Sequence, residues 1–239
     1  MAYISLYFFA AFLVGSIPVG ELICRLTGKG SLFVPGEWGP LRIGGVFEKL
    51  GRPLGLVVTL IDALKGWFVV WPLITIVFND PNYHEYWYIV SGGGLAVVIG
   101  HCHSLFLGFR GGRGAATTSG VMFALMWQPT LAAMVVWGVC AYWALSTRPG
   151  TLISAGALPI FCLIWIWVFR PEDSLYLYVV AALAIWTVFE HRITLLRYLG
   201  LLPEQQLPIV LTPRATDSKG AASATQTSEP NPETEQKNS

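Results

Sequence analysis

Charge is scarce in this 239-residue sequence: only 12% of its residues are Asp, Glu, Lys or Arg, against 54% that are hydrophobic. Soluble domains carry about twice that share of charge, so the shortage excludes an ordinary aqueous surface and makes the bilayer the expected solvent. Net charge is nearly absent too, at +1, and the basic residues are scattered among apolar runs with no single stripe, which excludes an electrostatic footprint for nucleic acid. Cysteine is sparse: Cys24, Cys102, Cys140 and Cys162 lie in or beside apolar runs without Cys-x-x-Cys spacing, so packing is their ordinary role. The first apolar segment lacks a positive leader and a small-residue cleavage site, and it is expected to be a retained helix.

What the chain does have is apolar length. Met1 to Cys24, Gly55 to Phe78 and Leu152 to Phe169 approach the roughly 20 residues that cross hydrocarbon as a helix. The expected fold class is all-α, a polytopic membrane helix bundle of about seven transmembrane or partly re-entrant helices. They fall at about 2–26, 52–78, 86–106, 113–127, 130–146, 151–169 and 174–190. The fourth is the shortest, and its Gly-rich entry suits a partly re-entrant segment. Residues 1–204 form the expected membrane domain. Residues 205–239 are a polar tail whose Ser, Thr, Pro, Glu and Gln content is that of a disordered segment.

Basic residues stay beside short cytoplasmic loops. With the N-terminus outside, the inner connections hold Arg25, Lys29, Arg42, Lys49, Arg52, Arg110, Arg113, Arg148, Arg192 and Arg197, and the outer ones hold only Arg170. Tyr86, Trp87, Tyr88, Trp127 and Tyr198 sit near segment ends as interface anchors. The expected location is a bacterial cell (inner) membrane, with the tail and the polar loops cytoplasmic.

The stretch from Gly100-His101 through Arg110, Gly111, Gly112, Arg113 and Gly114 to Thr118 concentrates polar and small residues on an inner connection. Glycines let backbone N–H groups approach an anion, arginines add charge-assisted donors, and a following helix offers its N-terminus to phosphate. A flexible turn with arginines held at lipid head groups is the structural alternative, and physics alone weighs the two equally. His191, Arg192, Thr194 and Arg197 follow the last span. A histidine there can serve as base or anion ligand, while a basic stop after a membrane helix produces the same pattern. Asp62 and Lys65 stand three residues apart inside the second span and share a helical face, either as a structural ion pair or as part of a polar site, and Glu21 in the first span poses the same choice.

Several segments, in order, resemble the acyl-phosphate-dependent glycerol-3-phosphate acyltransferase (PlsY) family. They are Gly15-Ser-Ile-Pro-Val-Gly20, Asp62-Ala-Leu-Lys-Gly66, and Gly100-His101 through Gly111-Gly-Arg-Gly-Ala-Ala-Thr117. Arg148, Thr151 and Ser154 resemble the family's Arg and Ser-x-x-Ser pattern, and His191-Arg192 with Arg197 its closing motif. The resemblance covers about residues 11–204. It implies acyl transfer from acyl phosphate to the 1-hydroxyl of glycerol 3-phosphate, giving lysophosphatidate for phospholipid synthesis, with no metal, nucleotide or other cofactor. It further implies catalytic roles for His191 and Arg113. Substrate binding falls to Arg110, Gly111, Gly112, Gly114, Thr117, Arg148, Thr151, Ser154, Arg192, Thr194 and Arg42. Arg113 stands where the family has Lys, Thr194 where it has Asn, and Gly36-Glu-Trp-Gly-Pro-Leu-Arg-Ile-Gly-Gly45 replaces its polar first loop. A noncatalytic membrane protein binding phosphorylated lipid or a partner, and an anion or lipid transporter, are the other classes considered; no inverted repeat supports transport.

Overall fold

The computed structural model describes residues 2–32, 43–77, 86–143, 147–169, 176–192, 195–196, 199 and 201. Contacts divide the chain into Met1–Leu202 and Pro203–Ser239, and every described element belongs to the first unit. The elements are α1 (Ala2–Ser16), α2 (Val19–Leu26), α3 (Ile43–Leu50), α4 (Arg52–Val77), α5 (Trp87–Cys102), a 3₁₀ turn (Leu105–Leu107), α6 (Ala115–Leu125), α7 (Trp127–Trp143), α8 (Thr147–Phe169) and α9 (Tyr176–Glu190). No strand occurs among the described residues. The fold is therefore the all-α membrane bundle expected from the sequence. By length and composition, three described helical stretches suffice to cross a membrane: Ala2–Leu26, Arg52–Ile76 and Trp87–Leu107. The chain is a multi-pass membrane protein.

Three expected boundaries are corrected. The first span is not one continuous helix but breaks at Ile17–Pro18 between α1 and α2. Pro18 has no N–H to donate and its ring restricts the residue before it, so the helical ladder is interrupted there. The carbonyls freed by the break are recaptured within the bundle: Lys65 Nζ donates to Gly15 O at 3.0 Å and to Ile17 O at 3.3 Å, and Ser104 Oγ donates to Ser16 O. A broken helix is tolerated at membrane depth only where neighbours satisfy its backbone in this way. Secondly, α3 is an added short helix on the connection that had no helix assigned to it. Thirdly, α6 is confined to 11 residues, about 16 Å of rise, which is half the hydrocarbon thickness.

Helices pack chiefly as the pairs α1 with α5, α4 with α6, and α7 with α8. Small residues set the first two contacts. A Cβ at Gly15 would meet the Val97 carbonyl and one at Gly100 the Phe12 carbonyl; likewise Gly66 faces the Thr117 carbonyl and Gly120 that of Ala63. With lipid as apolar as the side chains, such backbone approach is a main source of helix association. A larger core gathers Val70, Val97, Val121, Met122, Cys162 and Leu183, and a smaller one joins Val19, Cys24, Val46, Leu50 and Val58. Outward faces carry Leu60, Phe68, Ile164 and Trp167, the surface expected against acyl chains. The tail from residue 205 lies outside the described residues.

Candidate active site

A polar cleft opens where the α1–α2 break, the first half of α4, the end of α5 and the start of α6 meet. It encloses about 50 Å³, and its lining includes Ser16, Thr59, Asp62, His101, Ser104 and Arg113. Four glycines, Gly20, Gly111, Gly112 and Gly114, also border it, as does Glu21.

The loop between α5 and α6 is folded back on the end of α5. Phe109 N donates to Ser104 O at 2.8 Å, and Gly112 N donates to His101 O at 3.0 Å. Gly114 adopts φ +79° immediately before α6, a left-handed conformation that glycine reaches without steric cost. Glycine is also required at 111 and 112 for space. A Cβ at Gly111 would strike the His101 carbonyl, and one at Gly112 would strike His101 Nε2. The N-terminus of α6 and the half-buried Arg113 thus face the cleft from a loop with no room for a side chain at Gly111 or Gly112, a setting that favours a bound anion.

Two acidic side chains buried among the described helices, Asp62 and Glu21, are paired with cations. Asp62 and Lys65 are 2.8 Å apart, and His101 Nδ1 stands 3.5 Å from the same Asp62 oxygen. The Glu21 carboxylate accepts from Arg25 Nε at 2.7 Å and from the Leu32 N–H at 2.7 Å, tying α2 to the chain that follows it. The sequence left open whether Asp62 and Lys65 make a structural pair or shape a polar site; they do both, since Lys65 also closes the α1 break and Asp62 lines the cleft.

His191, at the end of α9, is 4% exposed and its Nδ1 lies 2.9 Å from the Thr187 carbonyl. That carbonyl requires a proton on Nδ1 and leaves Nε2 as the acceptor of a neutral ring. Burial holds the imidazole below its usual pKa, and the Arg113 charge pushes the same way, against the Thr187 carbonyl, which favours the charged form. The last turn of α9 and the glycine loop are thereby coupled electrostatically.

A second cavity, about 160 Å³ and largely apolar, lies between α4, α6, α7, α8 and α9, lined among others by Met122, Met134, Trp137, Leu158 and Leu183. Thr59, Ala115 and Ala116 border both cavities, so the polar cleft and the apolar groove adjoin at the start of α6.

Of the residues singled out in the sequence, Gly111, Gly112, Arg113 and Gly114 line the cleft, whereas Ser154 lines the apolar groove. Arg110 is half-buried on the same loop. Thr117 is fully buried in the body of α6. Arg192 donates to Phe189 O at 2.8 Å and lies over the Phe189 ring at 4.2 Å. Arg42 and Thr194 lie outside the described residues, as do the side chains of Arg148 and Thr151. Thr59 was not singled out, because a single hydroxyl in an apolar run carries no periodic signal, whereas Ser16 and Ser104 lay within the stretches identified without being named individually. His101 lay within the stretch identified, but its link to Asp62 joins two different helices.

A sequence model described as glycerol-3-phosphate acyltransferase matches residues 5–200. Among curated relatives, the glycerol-3-phosphate acyltransferase of Dinoroseobacter shibae is 32% identical over 191 residues, covering 80% of this chain and 87% of that protein. The Gluconobacter oxydans protein of the same name is 37% identical over 153 residues, covering 64% and 67%. Among solved structures, the glycerol 3-phosphate form of PlsY, an integral membrane glycerol 3-phosphate acyltransferase, aligns with a TM-score of 0.69 and 25% identity, covering 84% of this chain and 95% of that one. A glycine-and-arginine loop at the end of a broken-helix bundle, matched along nearly all of its membrane domain, places this chain in the glycerol-3-phosphate acyltransferase family.

Proposed function

We propose that this protein transfers a fatty acyl group from acyl phosphate to the 1-hydroxyl of glycerol 3-phosphate, releasing inorganic phosphate and lysophosphatidate. The observation that carries the reading is the junction at Thr59, Ala115 and Ala116, where a polar cleft suited to phosphate adjoins a groove suited to an acyl chain. An acyl phosphate has one end of each kind, and its reactive carbonyl carbon lies where they meet.

In the reaction the acceptor oxygen bonds to that carbon, the carbon–oxygen bond to phosphate breaks, and the hydroxyl proton leaves. Arg113 and the N–H groups of the glycine loop hold the phosphate of glycerol 3-phosphate beside the reacting carbon and balance negative charge that grows on the carbonyl and on the departing phosphate. Arg110 adds a cation on the same loop. His191, whose neutral ring keeps Nε2 as its acceptor and which senses the Arg113 charge from the end of α9, takes the hydroxyl proton or orients a phosphate. Arg42, Arg148, Thr151, Ser154, Arg192 and Thr194 complete the substrate-binding set by family resemblance. The acyl donor enters laterally from the bilayer and glycerol 3-phosphate from the cytoplasm of a bacterial cell, beneath an inner membrane crossed with the N-terminus outside.

The test is purified protein in detergent, supplied with palmitoyl phosphate and glycerol 3-phosphate. Phosphate release matched by lysophosphatidate in the mass spectrum is expected. Binding of glycerol 3-phosphate without any turnover would replace the enzyme by a noncatalytic binding protein.

A further inference from the structure

We propose that His101, beside Asp62, is a positioning residue that sets the phosphate-binding glycine loop, and that its imidazole is the gauge against which Gly112 is fixed. The inference rests on the phosphate-binding role given to that loop above and adds residues from two other helices to it.

Three observations converge on the ring. His101 Nδ1 lies 3.5 Å from the Asp62 carboxylate, which is itself paired at 2.8 Å with Lys65, so one edge of the imidazole faces this charged pair on α4. Its opposite edge, at Nε2, occupies the place that a side chain on Gly112 would need. The backbone of the same residue accepts the Gly112 N–H at 3.0 Å. His101 therefore meets one loop glycine through both ring and main chain, with Asp62 and Lys65 behind it. All three of Asp62, His101 and Gly112 border the cleft that holds Arg113. Lys65 also donates to the carbonyls of the α1 break, so the charged pair reaches the opposite wall. A rigid support of this kind acts by holding N–H donors where the anion will sit, without supplying a reacting group.

The neighbouring glycine supplies an internal control. A Cβ at Gly112 meets a side chain, whereas a Cβ at Gly111 meets the backbone carbonyls of His101 and Cys102, which no side-chain substitution removes. The test is a pair of double-mutant cycles, G112A with H101A and G111A with H101A. They are read as KM for glycerol 3-phosphate against kcat, and as the Kd of glycerol 3-phosphate by calorimetry of the full chain in detergent. His101→Ala alone is expected to weaken binding by about 10–100-fold, the usual effect of removing a residue that orients a ligand-contacting group, and to lower kcat by no more than about the same factor, because the displaced N–H groups also balance charge in the reaction. Gly112→Ala alone should weaken it comparably. Combined with His101→Ala it should add less than about threefold, because the methyl enters the vacated space. Gly111→Ala should multiply with His101→Ala.

Equal behaviour of the two glycines, or a loss confined to kcat, would overturn the proposal. Melting curves identify any variant that has failed to fold, and His101→Asn, which keeps a polar group beside Asp62, then replaces His101→Ala and should retain part of the affinity. Wild-type protein that binds glycerol 3-phosphate but does not turn over would defeat the acyltransferase reading while leaving the binding cycles decisive. Wild-type protein that binds no glycerol 3-phosphate overturns both.

Discussion

Arg113 and His191 make different demands on the same anion. Arg113 supplies a fixed charge with a planar fork of donors, so deleting it removes a contact that strengthens as the phosphate departs. Arg113→Ala should lower kcat/KM by about 10²–10³-fold, the range for loss of one preorganised donor. Arg113→Lys, which restores the residue of the resembled family's loop, should stay within about tenfold. Steady-state phosphate release measures both. His191 differs because its charge is variable. Its pKa lies below the usual imidazole value of about 6.5, so the neutral ring persists to lower pH and the acid limb of kcat/KM should fall below that value. The same depression gives a stability signature. Between the two pKa values the unfolded chain binds a proton that the folded protein refuses, so stability is full above about pH 6.5 and is lost as pH falls toward the folded value. Melting midpoints of wild type and His191→Gln should run parallel above that pH and converge or cross below it; a constant gap would mean that the ring is not buried in its neutral form. Residues of this kind were legible as candidates because histidine and arginine are rare in apolar sequence. The Asp62–His101 contact was not, since helical periodicity relates neighbours on one helix and these two stand on α4 and α5.

Helix pairing is governed by where glycine meets backbone. Gly66 and Gly120 face each other's helices across the α4–α6 seam, each against a carbonyl of the partner. Adding a methyl at Gly120 must push α6 off α4, and α6 carries the N-terminus that closes the cleft. Gly120→Ala should therefore destabilise by about 1–3 kcal/mol, the range for overpacking, and should weaken glycerol 3-phosphate binding as well. Gly156, on α8, has open space within 4 Å of the point a methyl would occupy, so Gly156→Ala should be neutral or stabilising by up to about 1 kcal/mol through helix propensity alone. Thermal unfolding in detergent micelles separates the two. The apolar runs made the long helices readable, and the glycine loop stood out by composition. Two elements escaped for physical reasons. The α1–α2 break is hidden because Ile17, Pro18 and Val19 continue an apolar run, and whether proline kinks or breaks a membrane helix depends on partners such as Lys65 that lie far along the chain. The eight-residue α3 packs chiefly against α4, and its eight residues are too few to present a repeating face that sequence alone would reveal.

Across the whole molecule, the cleft occupies one end of the bundle. It is bordered by Ser16 to Glu21 in the second half of the first span, by Thr59 and Asp62 in the first half of the second, and by His101 and Ser104 at the close of the third. Antiparallel crossings bring those positions to the same membrane face, where Arg25, Lys29, Lys49, Arg52, Arg110 and Arg113 also lie in the chain. The alternating direction of the spans brings these positions to one face, and the retention of basic residues in the cytoplasm supports the proposal that this face is the inner one. That orientation matters for chemistry, because a phosphorylated acceptor is too polar to cross hydrocarbon and must reach the cleft from the compartment that holds it. The exposed Phe109 on the glycine loop and the exposed Tyr3 at the start of α1 stand at opposite ends of this arrangement. In a Cys140→Ala background, with the other three cysteines buried, Phe109→Cys should react with a membrane-impermeant maleimide only in inside-out vesicles, and Tyr3→Cys only in intact cells. Glycerol 3-phosphate should slow labelling at Phe109→Cys, since the loop that carries it is the loop that closes on phosphate. Labelling of Phe109→Cys from outside would separate the cleft from its cytoplasmic substrate and remove the basis for acyl transfer at this site.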